Sequence, residues 1–145
     1  MSWILVAALL TGPSQSPIER LTPEQAVCEI TTELQTGSLI VSQGDCLAIK
    51  IYSASPYTHV AAVVVHDGET LVYDATGGAG VRKQSLREYL VSQRDHTLYF
   101  FRPCHSLSEE RCECFEQHLE SQLGRPYAIH HHLPGQRAAG LHCSE

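Results

Sequence analysis

Apolar residues recur at helical spacing behind three stretches led by serine or threonine, each bearing a helix-start signature. Thr22-Pro23-Glu24-Gln25 places threonine at the cap, proline in the first turn and a glutamine able to reach back. Val27, Ile30 and Leu34 then line one apolar face, and Gly37 stops the helix. Ser85-Leu86-Arg87-Glu88 opens a short helix through Leu90. Ser106-Leu107-Ser108-Glu109 opens a longer one that Gly124 and Pro126 end. Cys112, Phe115, Leu119 and Leu123 form its inner face, with Glu110, Glu113, Glu116 and Glu120 expected in water. Short apolar runs predict strands at Leu39–Ser42, Val60–Val65, Thr70–Ala75 and Thr97–Arg102. Asp45 to Ser53 is ambiguous, one reading being a helix capped by Asp45 and bearing Leu47, Ala48, Ile51 and Tyr52. Residues 128–142, rich in His, Gly and Pro, read as loop. This order predicts an α+β domain with a small antiparallel sheet packed with helices.

A chain of 145 residues makes one domain with a core large enough to dispense with metal or disulfide support. Its 43% apolar and 18% charged residues argue against disorder. Ten Lys+Arg against sixteen Asp+Glu give a net charge of −6, and no basic run of four exists. Nucleic acid is therefore not an expected partner, since phosphate binding needs clustered cations. The longest apolar stretch, Trp3 to Leu10, is far shorter than the ~20 residues of a membrane span, so no integral span is expected. Followed by Thr11, Gly12 and Pro13, it has the core and breaker of a secretory signal, although no Lys or Arg precedes Arg20. Residues 1–16 are read as a signal peptide, with a hydrophobic first strand as the alternative, and residues 17–145 as the domain. The signal implies an exported protein, periplasmic or extracellular; without it the chain is cytoplasmic. Six cysteines (Cys28, Cys46, Cys104, Cys112, Cys114, Cys143) are spread irregularly with no Cys-x-x-Cys pair. That is neither a disulfide framework nor a zinc pattern, and most are expected as small buried apolar residues.

The stretch from His59 to Gly77 carries the most chemistry. Asp67-Gly68 between two β-rich runs is a two-residue hairpin signal, because both turn positions need positive φ. That turn sets His66 opposite Glu69 and Val65 opposite Thr70, and continues to Ala61 opposite Asp74. His59, Ala61, Val63 and Val65 then share a face with Thr70, Val72, Asp74 and Thr76. His59 and Asp74 become a diagonal cross-strand pair whose backbones lie roughly 7–8 Å apart. A carboxylate on one imidazole nitrogen fixes the tautomer and leaves the other nitrogen to take a proton. A satisfied core histidine beside a loop-capping aspartate is the alternative. Tyr57, two residues before His59, is expected in the core.

The chain closes with Gly140-Leu141-His142-Cys143-Ser144-Glu145, which supplies a thiol that such an imidazole could activate if residues 124–142 return to the hairpin. In order, Gly37-Ser38-Leu39-Ile40-Val41, Ser55-Pro56-Tyr57-Thr58-His59, Leu71-Val72-Tyr73-Asp74-Ala75, Leu123-Gly124-Arg125-Pro126-Tyr127 and His142-Cys143-Ser144-Glu145 resemble the permuted papain-like amidases of the YaeF/YiiX type, within the NlpC superfamily of cysteine hydrolases. The likeness covers residues 37–145. It implies a circularly permuted papain-like fold with Cys143 as nucleophile, His59 as general base and Asp74 as the orienting third residue. The chain departs from the family pattern at Ser38 and Ala128, where relatives usually carry an acid, and at Asp74, where they often carry glutamate. Relatives continue from the nucleophile into a long helix, so a missing C-terminal helix is expected here.

The resulting expectation is a thiol-dependent hydrolase of amide or ester bonds, acting through a cysteine thioester on cell-envelope peptides or acyl lipids, without cofactor or metal. Two alternatives stand beside it. One is a non-catalytic ligand-binding relative of the same fold. The other is a metal-binding module built on His130, His131, His132, His142 and Cys143, although consecutive histidines rarely serve one tetrahedral site.

Overall fold

The computed structural model describes residues 4–7, 19–43 and 55–127. Among these residues seven strands and three helices form an α+β fold. In chain order they are β1 (Ile4–Ala7), β2 (Glu19–Leu21), α1 (Pro23–Ile30), β3 (Leu39–Gln43), β4 (His59–His66), β5 (Glu69–Thr76), β6 (Gly80–Ser85), α2 (Leu86–Ser92), β7 (Thr97–Phe101) and α3 (Glu109–Gln122). One sheet holds all seven strands in the order β2-β1-β7-β3-β4-β5-β6. Five of them, β7-β3-β4-β5-β6, pair antiparallel, four at the expected positions and β6 in addition; β1 extends the sheet by running parallel to β7. The sheet is thus larger than the sequence implies and mixed at one edge.

The hairpin forms in the expected register, with Val65 opposite Thr70 and His66 opposite Glu69. Asp67 and Gly68 take φ of 49° and 80°, the two positive values this turn demands. One sheet face is the core. Ile40, Ala61, Val63, Val72, Leu98 and Phe100 pack there against Ala26 and Ile30 of α1 and Leu86, Tyr89 and Leu90 of α2. Full burial of Ile40, Leu90 and Leu98 contributes roughly 1.5–3 kcal/mol each.

Both capping boxes expected at α1 and α2 are present. Thr22 and Gln25 exchange bonds of 2.9 and 3.2 Å, and Ser85 and Glu88 do the same at 2.9 and 3.3 Å. Helix α1 ends at Ile30, four residues before Leu34; the Val27 carbonyl at its end accepts both the Thr31 N–H at 3.1 Å and the Thr31 hydroxyl at 2.6 Å. Leu34 is buried nonetheless, carried inward by the turn that follows.

Helix α3 departs most from expectation. Its cap is Ser108, without a side-chain bond, while the Ser106 hydroxyl donates to Gln35 Oε1 at 2.9 Å instead. No residue of α3 is buried. It meets the far face of the sheet through two of the glutamates assigned to water. Glu116 lies 3.0 Å from His66 Nδ1, and Glu120 accepts 2.6 Å bonds from both the Tyr73 hydroxyl and Lys83 Nζ. Helical periodicity locates a polar stripe but not what faces it. The cysteines also differ from expectation: Cys28, Cys104 and Cys114 are exposed thiols and Cys112 is half-buried.

Cys143, Cys46, the Asp45–Ser53 segment and the histidine-rich loop lie outside the described residues, as does most of the stretch read as an export signal; its Ile4–Ala7 form β1. Among the described residues, no helix is long and apolar enough to cross a membrane.

Candidate active site

Strand alternation brings His59, Asp74, Arg82 and Gln84 to the core-facing side of one sheet end. Asp74 pairs directly with Arg82 across β5 and β6, and Val72 with Gln84. Carried onward, the β4–β5 register sets Ala61 opposite Asp74 and leaves His59 diagonal to it. Ala61, 2% exposed, is small enough to let the longer side chains close that diagonal. His59 Nε2 lies 3.2 Å from Asp74 Oδ2. The diagonal pair expected from the turn is therefore in contact.

Asp74 holds further partners. Arg82 Nε donates to Oδ1 at 2.8 Å and Arg82 Nη2 to Oδ2 at 3.2 Å, while Gln84 Nε2 reaches Oδ1 at 3.3 Å. The Asp74 side chain is fully buried, against 15% exposure for His59 and 35% for Arg82. Burial alone pushes the carboxyl up; the hydrogen bonds from His59 and Arg82, with the Arg82 charge, outweigh it and hold Asp74 below the usual carboxylate range. The same bonds raise Arg82 further. An ionised carboxylate only accepts, so Nε2 carries the imidazole proton and Nδ1 is the basic nitrogen.

This geometry fixes an acid response. Folded Asp74 keeps its charge to lower pH than an unfolded aspartate, so its contribution is complete above about pH 4 and is lost as pH falls through the lowered folded value. Acid denaturation of Asp74→Asn should accordingly be flatter below about pH 4 than that of the parent chain. Parallel acid limbs in the two proteins would remove Asp74 as a source of the acid sensitivity.

Two neighbours complete the surroundings. Ser42 of β3 pairs with His59, is fully buried, and its hydroxyl has no hydrogen-bond partner among the described residues. Tyr57, expected in the core, is 39% exposed and meets the Tyr99 ring edge-on at 5.3 Å.

Arg82 and Gln84 were not legible as site residues, because Gly80–Ser85 lacks apolar alternation and predicts no strand. Gly77-Gly78, a second hairpin-type turn directly after a strand, was the available signal.

The chain after α3 returns to this same end of the sheet. Val81 N donates to the Arg125 carbonyl and Gly124 N to the Val81 carbonyl, both at 2.9 Å. Gly80, at φ +70°, permits the approach: a Cβ there would lie 2.3 Å from the Arg125 oxygen. Since Gly80 pairs with Thr76, the Leu123–Tyr127 segment is tied to the edge strand beside Asp74 and Arg82. Cys143 follows Tyr127 by sixteen residues, a length that can extend about 50 Å.

No family model and no curated protein matches the chain. Among solved structures it resembles that of a protein described as the metalloprotein YiiX from Escherichia coli O157:H7, with 25% identity and a TM-score of 0.57. The match covers 65% of this chain and 53% of that one, so it spans about half the length of the YiiX chain. The fold is YiiX-like.

Proposed function

We propose that this protein is a cysteine hydrolase of the permuted papain-like type, cleaving amide or ester bonds in cell-envelope peptides or acyl lipids. The observation that carries the reading is the buried His59–Asp74 contact at the sheet end to which the chain leading to Cys143 is tied. In this reading Nδ1 of His59 takes the Cys143 thiol proton, and the thiolate attacks the carbonyl carbon. The tetrahedral intermediate collapses to a thioester as His59 returns the proton to the departing amine or alcohol. Water, activated by the same nitrogen, then releases the acid and restores the thiol. Asp74 holds the ring in the tautomer that makes Nδ1 basic.

The test is the rate of alkylation by iodoacetamide at about pH 6, where an ordinary thiol of pKa about 8.5 is nearly all protonated and unreactive. Cys143 should label well ahead of the exposed Cys28, Cys104 and Cys114, and His59→Ala should abolish that advantage. Uniform labelling rates would overturn the reading.

A second reading draws on the neighbouring structure's description as a metalloprotein. Among the described residues no group of three or more His, Cys, Asp or Glu is placed to hold a metal ion. In this reading the metal is held by His130, His131, His132, His142 and Cys143. Stoichiometric zinc or another transition metal in untagged protein, with Cys143 protected from alkylation until a chelator is added, would favour it over the hydrolase.

A further inference from the structure

We propose that Arg82 is a positioning residue which locks Asp74 and shares its charge, so that Asp74 can orient His59 without holding it as an imidazolium. The proposal rests on the reading of His59 and Cys143 as base and nucleophile. Its geometric basis is the four-fold hold on one carboxylate. Oδ1 accepts from Arg82 Nε and Gln84 Nε2, and Oδ2 accepts from Arg82 Nη2 while facing His59 Nε2. A carboxylate fixed by a planar fork on one edge cannot turn with the imidazole, so the ring takes its orientation from β5 and β6 rather than the reverse.

The electrostatic consequence follows from burial. A lone, fully buried carboxylate beside His59 would stabilise the imidazolium strongly and leave the ring protonated when it should accept a proton. Arg82 sets a positive charge on the same carboxylate, one arm of its fork on the very oxygen that faces His59, and offsets that pull. Among the described residues, the charged and titratable groups around this pair are Asp74 on β5, Arg82 on β6 and Tyr89 on α2, whose hydroxyl lies close enough to influence Arg82. Gln84 and Ser42 contribute no charge.

The experiment is a titration of the His59 ring by NMR in the full chain, in a Cys143→Ser background so that no thiolate titrates with it. Arg82→Gln should move the His59 midpoint up by about one pH unit, since the carboxylate charge is then uncancelled. Arg82→Lys keeps the charge but not the fork. Its midpoint should stay near that of the parent, while with Cys143 present its alkylation rate falls on the order of tenfold as the ring loosens. An unchanged midpoint in Arg82→Gln, or a lysine variant alkylated as fast as the parent, would show that Arg82 merely ties β5 to β6. Should Arg82→Gln fail to fold, the lysine variant decides alone. The midpoint is read without any thiol chemistry, so it can hold or fail whether or not Cys143 proves to be the nucleophile.

Discussion

Asp74→Asn is expected to cost both stability and reactivity more than any other isosteric change in the site. The asparagine amide matches the carboxylate in shape but presents one acceptor oxygen where Arg82, Gln84 and His59 meet the two of Asp74. Breaking a buried ion pair from one side typically costs about 3–5 kcal/mol, and the 35% exposure of Arg82 lowers this to roughly 2–4 kcal/mol because water can rehydrate the guanidinium. The chemical effect is larger. The amide will give its oxygen to the cationic Arg82 and turn its NH2 toward His59. Nε2 must then accept, the proton moves to Nδ1, and the nitrogen proposed to take the thiol proton no longer can. A wrong tautomer of this kind costs about 10⁴ in turnover, of which alkylation at about pH 6 can register up to about 300-fold, the full distance to an ordinary thiol of pKa about 8.5. Urea denaturation and the alkylation rate of Cys143, measured together on the folded variant, check both figures. A variant within 1 kcal/mol of the parent and alkylated at a similar rate would mean that Asp74 neither ties the sheet nor steers the histidine.

How much of this was legible beforehand depended on where the signal was local. Asp67-Gly68 dictates its own backbone, and once that turn is fixed, alternation carries the register back to His59 and Asp74 without tertiary information. The Thr22 and Ser85 caps were readable for the same reason, since each is satisfied within four residues. What escaped was decided by partners far away in sequence. Arg82 and Lys83 lie on a strand with no apolar pattern of its own; β6 exists because β5 offers it a ladder from Leu71 to Thr76. Glu116 and Glu120 read as a solvated face because nothing near them announces that His66, Tyr73 and Lys83 will sit opposite. The Ser106 cap failed for a related reason, its hydroxyl being taken by Gln35, seventy-one residues earlier. The site was thus half-visible: the histidine and its carboxylate follow from a turn, whereas the arginine that grips the carboxylate follows from a pairing.

The tether that leads toward Cys143 can be tested at one atom. Gly80→Ala adds a Cβ at 2.3 Å from the Arg125 carbonyl oxygen, 3.2 Å from its carbon and 3.4 Å from Pro126 Cα. All three are backbone atoms, so no side chain can swing aside. The alanine must also hold φ near +70°, which costs about 1–2 kcal/mol for an L residue. The cheapest relief is release of the Gly124–Tyr127 segment from β6, losing the two bonds to Val81 at about 0.5–1.5 kcal/mol each. The expected total is a loss of roughly 2–5 kcal/mol with the core around Ile40, Leu90 and Leu98 intact. Gly78 provides the control, because at φ +91° an added Cβ meets nothing within 4 Å. Gly78→Ala therefore carries the backbone strain without the collision, and should leave the alkylation rate of Cys143 at about pH 6 near that of the parent. Gly80→Ala, compared at a temperature where both variants remain folded, should slow it on the order of tenfold or more, because the thiol's tether to the His59 end of the sheet has been cut. If the two alanine variants behave alike, the approach of Arg125 to β6 does not guide the tail toward His59.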